Sequence, residues 1–218
     1  MIKIIDSLYL TEVGCCIKSY GKFTKVHIRQ GEMDGACAVY ALMMNLLILK
    51  TIRRNQLEDL FNKMKKSPEV ERLFHEFFDK HGLVRDGFHF KDVCGLTNRT
   101  FGDKVTAKYD DKDSLRGEKE ILDSIKNTLD SNMPIILGID FKGGGGHAVV
   151  AIGYESDDEG LFNIFCMDPG YDIFPTSYWN MVISLDIFNG HFKHQCLTVY
   201  PNECSAINIS DVLRITKN

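Results

Sequence analysis

Cys37 opens an apolar stretch and is the side chain of this sequence best placed to act as a nucleophile. It follows Asp34-Gly35, which breaks helices, and lies near the start of a predicted helix from Ala36 to about Leu49. A thiol in a first helical turn meets the positive end of the helix dipole, which lowers its pKa and favours the reactive thiolate. Taken alone, however, the segment favours a buried structural cysteine.

Gln30 adds a second group with suitable chemistry, because it lies seven residues before Cys37 and just ahead of the turn. From there its side-chain amide could donate a hydrogen bond to an oxyanion that forms near the sulfur. Such a donor, together with the backbone N–H of the nucleophile, stabilises a transition state by roughly 3–4 kcal/mol. The spacing therefore makes Gln30 a candidate oxyanion residue.

His147 is the candidate base, since it begins a strongly apolar strand directly after the glycines 143–146. An imidazole at the end of a strand can point across a cleft, with one ring nitrogen for a nucleophile and the other for an orienting acceptor. The competing interpretation is a strand-end histidine that is hydrogen-bonded locally. Among the other histidines, His75 and His81 suit helix surfaces or ends. His27 and His89 have no evident partner.

Asp168 is the candidate orienting group and ends the apolar run 161–167. If the strands after His147 and before Asp168 form an antiparallel hairpin with its turn at 156–160, residues near 168 fall opposite residues near 147. The Pro-Gly pair that follows also fits a simple turn residue at 168. The match with His147 favours the catalytic interpretation.

The elements that must position these residues differ between the two halves of the chain. The first half is predicted to be rich in helix and the second half to be a sheet, so the fold class is α+β. In the first half we predict strands at 2–11 and 22–29 and helices at 36–49, 55–66 and 67–82. In the second half we predict a helix at 118–129 and strands at 134–140, 147–154, 161–167, 181–185, 196–200 and 212–215. A lobe boundary is expected near the charged stretch 110–119.

Composition excludes several classes of function. The 26 Lys and Arg residues are outnumbered by 30 Asp and Glu and are scattered, so we expect no nucleic-acid partner. No run approaches the roughly 20 apolar residues of a membrane span, and the N-terminus is predicted to be a strand and not a signal peptide. Seven cysteines without a CxxC pair indicate reduced thiols, and the His-x-x-His at 191–194 is a weak zinc signal. We expect no metal and no cofactor.

Four segments carry a family resemblance. Gln30-Gly-Glu-Met-Asp-Gly-Ala-Cys37 with its helix resembles the glutamine-to-cysteine segment of papain-like cysteine peptidases. Three later segments resemble the bacterial C39-type branch: Pro134-Ile-Ile-Leu-Gly-Ile-Asp140, Gly146-His-Ala-Val-Val-Ala-Ile-Gly-Tyr154 and Met167-Asp-Pro-Gly170. The similarity covers about residues 28–50 and 133–170.

The resemblance implies a papain-like fold, with an N-terminal helical lobe whose cysteine helix packs on a C-terminal antiparallel β-sheet lobe. The whole chain, 1–218, would be one catalytic domain, with residues 1–112 mainly helical after N-terminal strands and 113–218 mainly β. It also implies a cysteine peptidase that acts on a peptide or protein through a thioester. Cys37 would be the nucleophile, His147 the base, Asp168 the orienting residue and Gln30 the oxyanion residue.

Two other functions stay open. A papain-like acyltransferase or transglutaminase-type enzyme would use the same groups with an acceptor other than water, and a non-catalytic papain-like module would only bind a partner. The order Cys-His-Asp also suits transglutaminases and arylamine acetyltransferases, but the 110 residues between Cys37 and His147 favour the papain-like arrangement. We expect a cytoplasmic protein, or one delivered or secreted without a recognisable signal peptide.

Overall fold

The computed structural model describes residues 1–31, 35–58, 66–80, 87–111, 114, 117–158, 160–185, 191–199 and 202–218. Within these ranges the chain is a mixture of helices and antiparallel strands. The strands are β1 (Ile2–Ile4), β2 (Leu8–Thr11), β3 (Gly14–Ser19), β4 (Lys22–Lys25), β5 (Val105–Asp111), β6 (Ile135–Phe141), β7 (Gly146–Ser156), β8 (Leu161–Met167), β9 (Met181–Ser184), β10 (His194–Thr198) and β11 (Glu203–Lys217). The helices are α1 (Cys37–Ile48), α2 (Asn55–Glu58), α3 (Pro68–Phe74), a π-helical turn (His75–Asp79), α4 (Phe90–Phe101) and α5 (Glu118–Asp130).

The larger sheet has eight strands and positions most of the site. Its strands run in the order β7-β6-β11-β10-β9-β8, and a further antiparallel pairing of β8 with β7 closes this path into a ring. β1 pairs with β7 beyond the end of β6, and β5 pairs with β11 beyond the end of β10. The smaller sheet consists of β2, β3 and β4. Two strands from the first half of the sequence, β1 and β5, therefore belong to the sheet built mainly by the second half.

The cysteine helix α1 is buried on nearly all sides, as expected for a helix whose residues are apolar all round. It packs on β7 and β6 and contacts α4. The buried Asn45 on α1 donates a hydrogen bond of 3.2 Å to the carbonyl of Pro134, just before β6. This hydrogen bond fixes the C-terminal half of α1 next to the start of β6.

The predicted elements of the second half are found close to their expected bounds, although β11 is much longer than the predicted strand at 212–215. The first half contains more elements than were predicted. The stretch 2–11 is divided by a turn at residues 6–7 into β1 and β2, which join different sheets. β4 ends at Lys25, and the next residues continue toward α1 without a ladder.

α4 and most of β5 were not predicted at all. α4 carries its buried residues on one face, which packs on β5 and β11, while the rest of its surface is polar. For two other helices, the expected ends lie outside the described residues. The predicted extension of α2 to residue 66 crosses 59–65, and the predicted stop of the third helix at Gly82 lies in 81–86.

The start of α3 was predicted correctly, with Ser67 as its cap and Pro68 in its first turn. The Ser67 Oγ accepts a hydrogen bond of 3.4 Å from the backbone N–H of Val70.

Among the described residues, no helix is long and apolar enough to cross a membrane.

Candidate active site

Cys37 occupies the first position of α1 and is half-buried. The first turn of the helix contains no acidic side chain, so nothing there offsets the positive end of the helix dipole. The backbone N–H groups of Ala38 and Ala148 also donate hydrogen bonds to the sulfur. The residues 32–34, which include the helix-breaking Asp34, lie outside the described residues.

His147 lies at the start of β7, opposite Ile139 of β6. Its side chain is 15% exposed, and the ring of Phe141 lies beside it with 6.3 Å between ring centroids. Its Nε2 lies 2.6 Å from Oδ1 of Asp168. Because Asp168 occupies Nε2, the other ring nitrogen, Nδ1, is left to form the hydrogen bond with the Cys37 thiol.

Asp168 directly follows β8 and is 0% exposed. The register of the β7–β8 hairpin pairs Val150 with Met167, so that Asp168 falls close to His147, as the hairpin arithmetic predicted. Its Oδ1 also accepts a hydrogen bond of 2.7 Å from the backbone N–H of Gly170. The carboxylate is therefore fixed from two directions.

The electrostatics of the Cys37–His147 pair favour separated charges. Burial raises the pKa of the Cys37 thiol. The hydrogen bond and charge of His147 and the backbone N–H groups of Ala148 and Ala38 together lower it by more, so the pKa lies below its ordinary value. Burial lowers the pKa of His147, whereas its hydrogen bonds to Asp168 and Cys37 raise it to about 10. Both shifts favour a thiolate beside an imidazolium.

Gln30 lines the same cleft as Cys37 and His147, which has a volume of about 550 Å³. Its backbone N–H donates a hydrogen bond of 2.9 Å to the carbonyl of Pro169, the residue after Asp168. The structure thus brings all four predicted residues to one region, three of them on the cleft wall and Asp168 buried behind His147.

Three residues around Asp168 were missed by the sequence analysis: Gly170, Asn180 and His27. An added Cβ at Gly170 would lie 3.1 Å from Oδ1 of Asp168 and 3.6 Å from the ring of His147. The side chain of Asn180 and the ring of His27 both contact the backbone of Asp168. The expectation that His27 lacks a partner is wrong, because its ring lies 2.9 Å from the carbonyl of Asp168, 141 residues away in sequence.

The comparison with known proteins agrees with the resemblance in the sequence. No curated protein matches the chain. A family model described as the Peptidase_C39 like family matches residues 24–189, which contain Gln30, Cys37, His147 and Asp168. Because this match spans well over half of the sequence, the chain belongs to the Peptidase_C39 like family.

Proposed function

We propose that this protein is a cysteine peptidase that hydrolyses peptide bonds through Cys37, His147 and Asp168, with Gln30 as the oxyanion residue. Membership of the Peptidase_C39 like family supports cysteine peptidase activity. The observation that carries the proposal is the contact of His147 with the Cys37 thiol on one side and with the buried Asp168 carboxylate, at 2.6 Å, on the other. In this arrangement the base, the nucleophile and the orienting residue each have the partner that their role requires.

The proposed fold is papain-like and forms one catalytic domain over residues 1–218. The packing of α1 on β7 supports a cleft between a cysteine-bearing helix and a histidine-bearing sheet. The division into a mainly helical lobe, 1–112, and a mainly β lobe, 113–218, belongs to this proposal, with β1 and β5 crossing from the first into the sheet of the second.

The reaction would begin with the Cys37 thiolate attacking the carbonyl carbon of the scissile peptide bond. The negative charge then moves to the carbonyl oxygen, where the Gln30 amide and the Cys37 backbone N–H donate hydrogen bonds to it. The His147 imidazolium gives its proton to the leaving nitrogen, so that an amine departs and a thioester remains on Cys37. Water then attacks the thioester with His147 as base, which releases a carboxylic acid and restores the thiolate–imidazolium pair.

Asp168 would accept the Nε2–H of His147 throughout this cycle. Its carboxylate keeps the ring oriented with Nδ1 toward the sulfur and stabilises the imidazolium by opposite charge. The burial of Asp168 strengthens this interaction, because water does not screen the pair from that side.

Alkylation by iodoacetamide tests the nucleophile without requiring a known substrate. At pH 6–7, mass spectrometry should find Cys37 modified much faster than the other six cysteines, because a thiolate is needed for the reaction. Cys204 is exposed and serves as the internal control for access alone. The rate at Cys37 should fall in His147→Ala, and equal labelling of Cys37 and Cys204 in the wild type would refute the nucleophile assignment.

A peptide library then separates hydrolysis from the alternatives. A peptidase should cleave library members and lose this activity in Cys37→Ala. If Cys37 is selectively alkylated but transfers acyl groups only to an added amine or alcohol, the protein is an acyltransferase and the hydrolytic proposal is wrong. Binding of peptides without either reaction would identify a non-catalytic module.

A further inference from the structure

Asp168 is held by a layer of buried polar side chains, in which Asn180 makes the most contacts. Asn180 directly precedes β9 and is 1% exposed. Its Oδ1 accepts a hydrogen bond of 2.6 Å from the backbone N–H of Asp168, and its Nδ2 donates one of 2.8 Å to the Asp168 carbonyl. A single amide side chain therefore pairs both backbone groups of Asp168, as a neighbouring strand would.

The position of Asn180 explains why a side chain has this task. The β8–β9 ladder includes the pair Cys166 and Met181, and the backbone N–H of Asn180 bonds to the Cys166 carbonyl at 3.1 Å. At Asp168 the ladder is continued by the Asn180 side chain in place of backbone. The Nδ2 of Asn180 also donates to the carbonyl of Tyr171 at 3.0 Å, so the same amide ties the turn after Asp168.

His27 contacts the same carbonyl from the opposite half of the sequence. Its Nε2 lies 2.9 Å from the backbone carbonyl oxygen of Asp168. A carbonyl oxygen can only accept a hydrogen bond, so Nε2 carries the proton. The His27 ring is buried, and burial lowers the pKa of His27 and keeps the ring neutral near pH 7. Arg54 anchors this segment by donating hydrogen bonds from Nη1 to the carbonyls of Lys25 and His27, at 3.0 and 2.8 Å.

A second bond joins the same two segments, since the backbone N–H of Gln30 donates to the Pro169 carbonyl at 2.9 Å. The segment that carries the oxyanion candidate is thus tied to the segment that carries Asp168. The two ties use the backbone carbonyls of Asp168 and Pro169. The carboxylate of Asp168 is engaged instead by His147 and Gly170. The surrounding residues fix the position of the Asp168 backbone, from which the carboxylate extends. The carboxylate in turn fixes the orientation of the His147 ring.

We propose that Asn180 and His27 are positioning residues that fix the backbone of Asp168, so that its carboxylate stays in hydrogen-bonding contact with His147. This inference rests on the proposed function, because Asp168 has a catalytic task only if His147 serves Cys37. Asn180 and His27 act through Asp168, as neither has a described contact with Cys37 or His147. A displacement of about 1 Å at a catalytic group can reduce a rate by about 100-fold, so the effect should be measurable.

The first test measures the alkylation rate of Cys37 by iodoacetamide as a function of pH in the full chain. Asn180→Ala should slow alkylation at pH 6 between about 10-fold and 100-fold and shift the profile to higher pH, since a displaced Asp168 stabilises the imidazolium less. Asn163→Ala is the matched control, because Asn163 lies on β8 and loses a hydrogen bond of 2.9 Å to Glu155 without touching Asp168. An unchanged profile in folded Asn180→Ala would overturn the inference.

A double-mutant cycle tests whether Asn180 acts through Asp168. In the Asp168→Ala background, Asn180→Ala should cause no further loss of Cys37 alkylation, because the carboxylate it positions is gone. Additive losses would show that Asn180 acts on the site by another route. If wild-type Cys37 is not selectively alkylated, the proposed function fails; if it is, and the cycle is additive, only the positioning role fails.

His27 provides a second pair of variants should Asn180→Ala fail to fold. His27→Gln keeps an N–H donor at about the reach of Nε2, whereas His27→Phe keeps the ring volume and loses the donor. His27→Gln should retain the wild-type pH profile within about twofold in rate, and His27→Phe should show the same upward shift as Asn180→Ala. Equal profiles for the two His27 variants would contradict a positioning role of its hydrogen bond.

Discussion

The start of α1 and the end of β8 each carry a cysteine beside a candidate site residue, and the pKa values of the two thiols shift in opposite directions. Burial raises the pKa of both thiols. At Cys37 the hydrogen bond and charge of His147, together with backbone hydrogen bonds from Ala148 and Ala38, outweigh burial and the pKa falls. At Cys166 the negative charge of Asp168 adds to burial, and the pKa rises well above its ordinary value. The positive neighbour of Cys37 opposes burial, whereas the negative neighbour of Cys166 adds to it, so we expect Cys37 to be the reactive thiol of the two.

The largest effect on activity is expected from removing the sulfur of Cys37. Cys37→Ala should reduce kcat/KM for any cleaved peptide by roughly 10⁴-fold or more, because no other group can form the thioester. Its stability should change little, since Cys37 is only half-buried. Steady-state kinetics and thermal unfolding measure the two quantities.

Cys166→Ala should show the opposite pattern. Its side chain is fully buried in the core, so its removal should lower the free energy of unfolding by about 1–2 kcal/mol and change kcat/KM by less than about twofold. A loss of activity in Cys166→Ala comparable to that in Cys37→Ala would mean that the two thiols do not differ as their surroundings indicate.

A smaller loss of activity is expected when the negative charge of Asp168, which acts on both His147 and Cys166, is removed. Asp168→Asn should reduce kcat/KM by roughly 100-fold, because the amide orients His147 without stabilising its positive charge. In the wild type we expect the thiolate–imidazolium pair above the lowered pKa of Cys37 and below the His147 pKa of about 10. Without the carboxylate the pKa of His147 falls and that of Cys37 rises, so the active pH range should narrow from both sides.

Asp172→Asn is the matched control for this experiment. Asp172 follows four residues later, is 70% exposed, and pairs with Arg29 at 3.0 Å on the surface. Exposed pairs contribute little, so its pH–rate profile should match that of the wild type. A pH range in Asp168→Asn as wide as in Asp172→Asn would show that Asp168 does not set the charge state of His147.

The four candidate residues that the structure brings to one region could be chosen from the sequence because their signals are local. A cysteine before an apolar run indicates a helix start, and a histidine that opens a strand and an aspartate that ends the next one follow from hairpin arithmetic. Asn180 and His27 have no such signal. Their contacts with Asp168 span 12 and 141 residues, and the distant pairing depends on how the ladders close in three dimensions.

The fold was predictable to the same extent. Long apolar strands such as β7 are identifiable from their composition, since a strand buried on both faces is continuously apolar. α4 was missed because its mean composition is polar and only its spacing of buried residues marks it as a helix. β1 and β2 were merged because the alternation of 2–11 continues through the turn that separates them.

The smallest loss of activity is expected from a substitution at Gly170, close to the end of β8. A Cβ at this position would lie 3.1 Å from Oδ1 of Asp168, tighter than an ordinary contact, so the carboxylate must shift by a few tenths of an ångström. Gly170→Ala should therefore reduce kcat/KM about 3- to 10-fold and leave KM nearly unchanged, because the alanine keeps the backbone N–H and moves only the acid behind His147. Gly143→Ala adds a methyl group with nothing within 4 Å and should behave as wild type. An equal response of the two variants would mean that His147 tolerates movement of Asp168, and the tight fit at the end of β8 would then matter for packing alone.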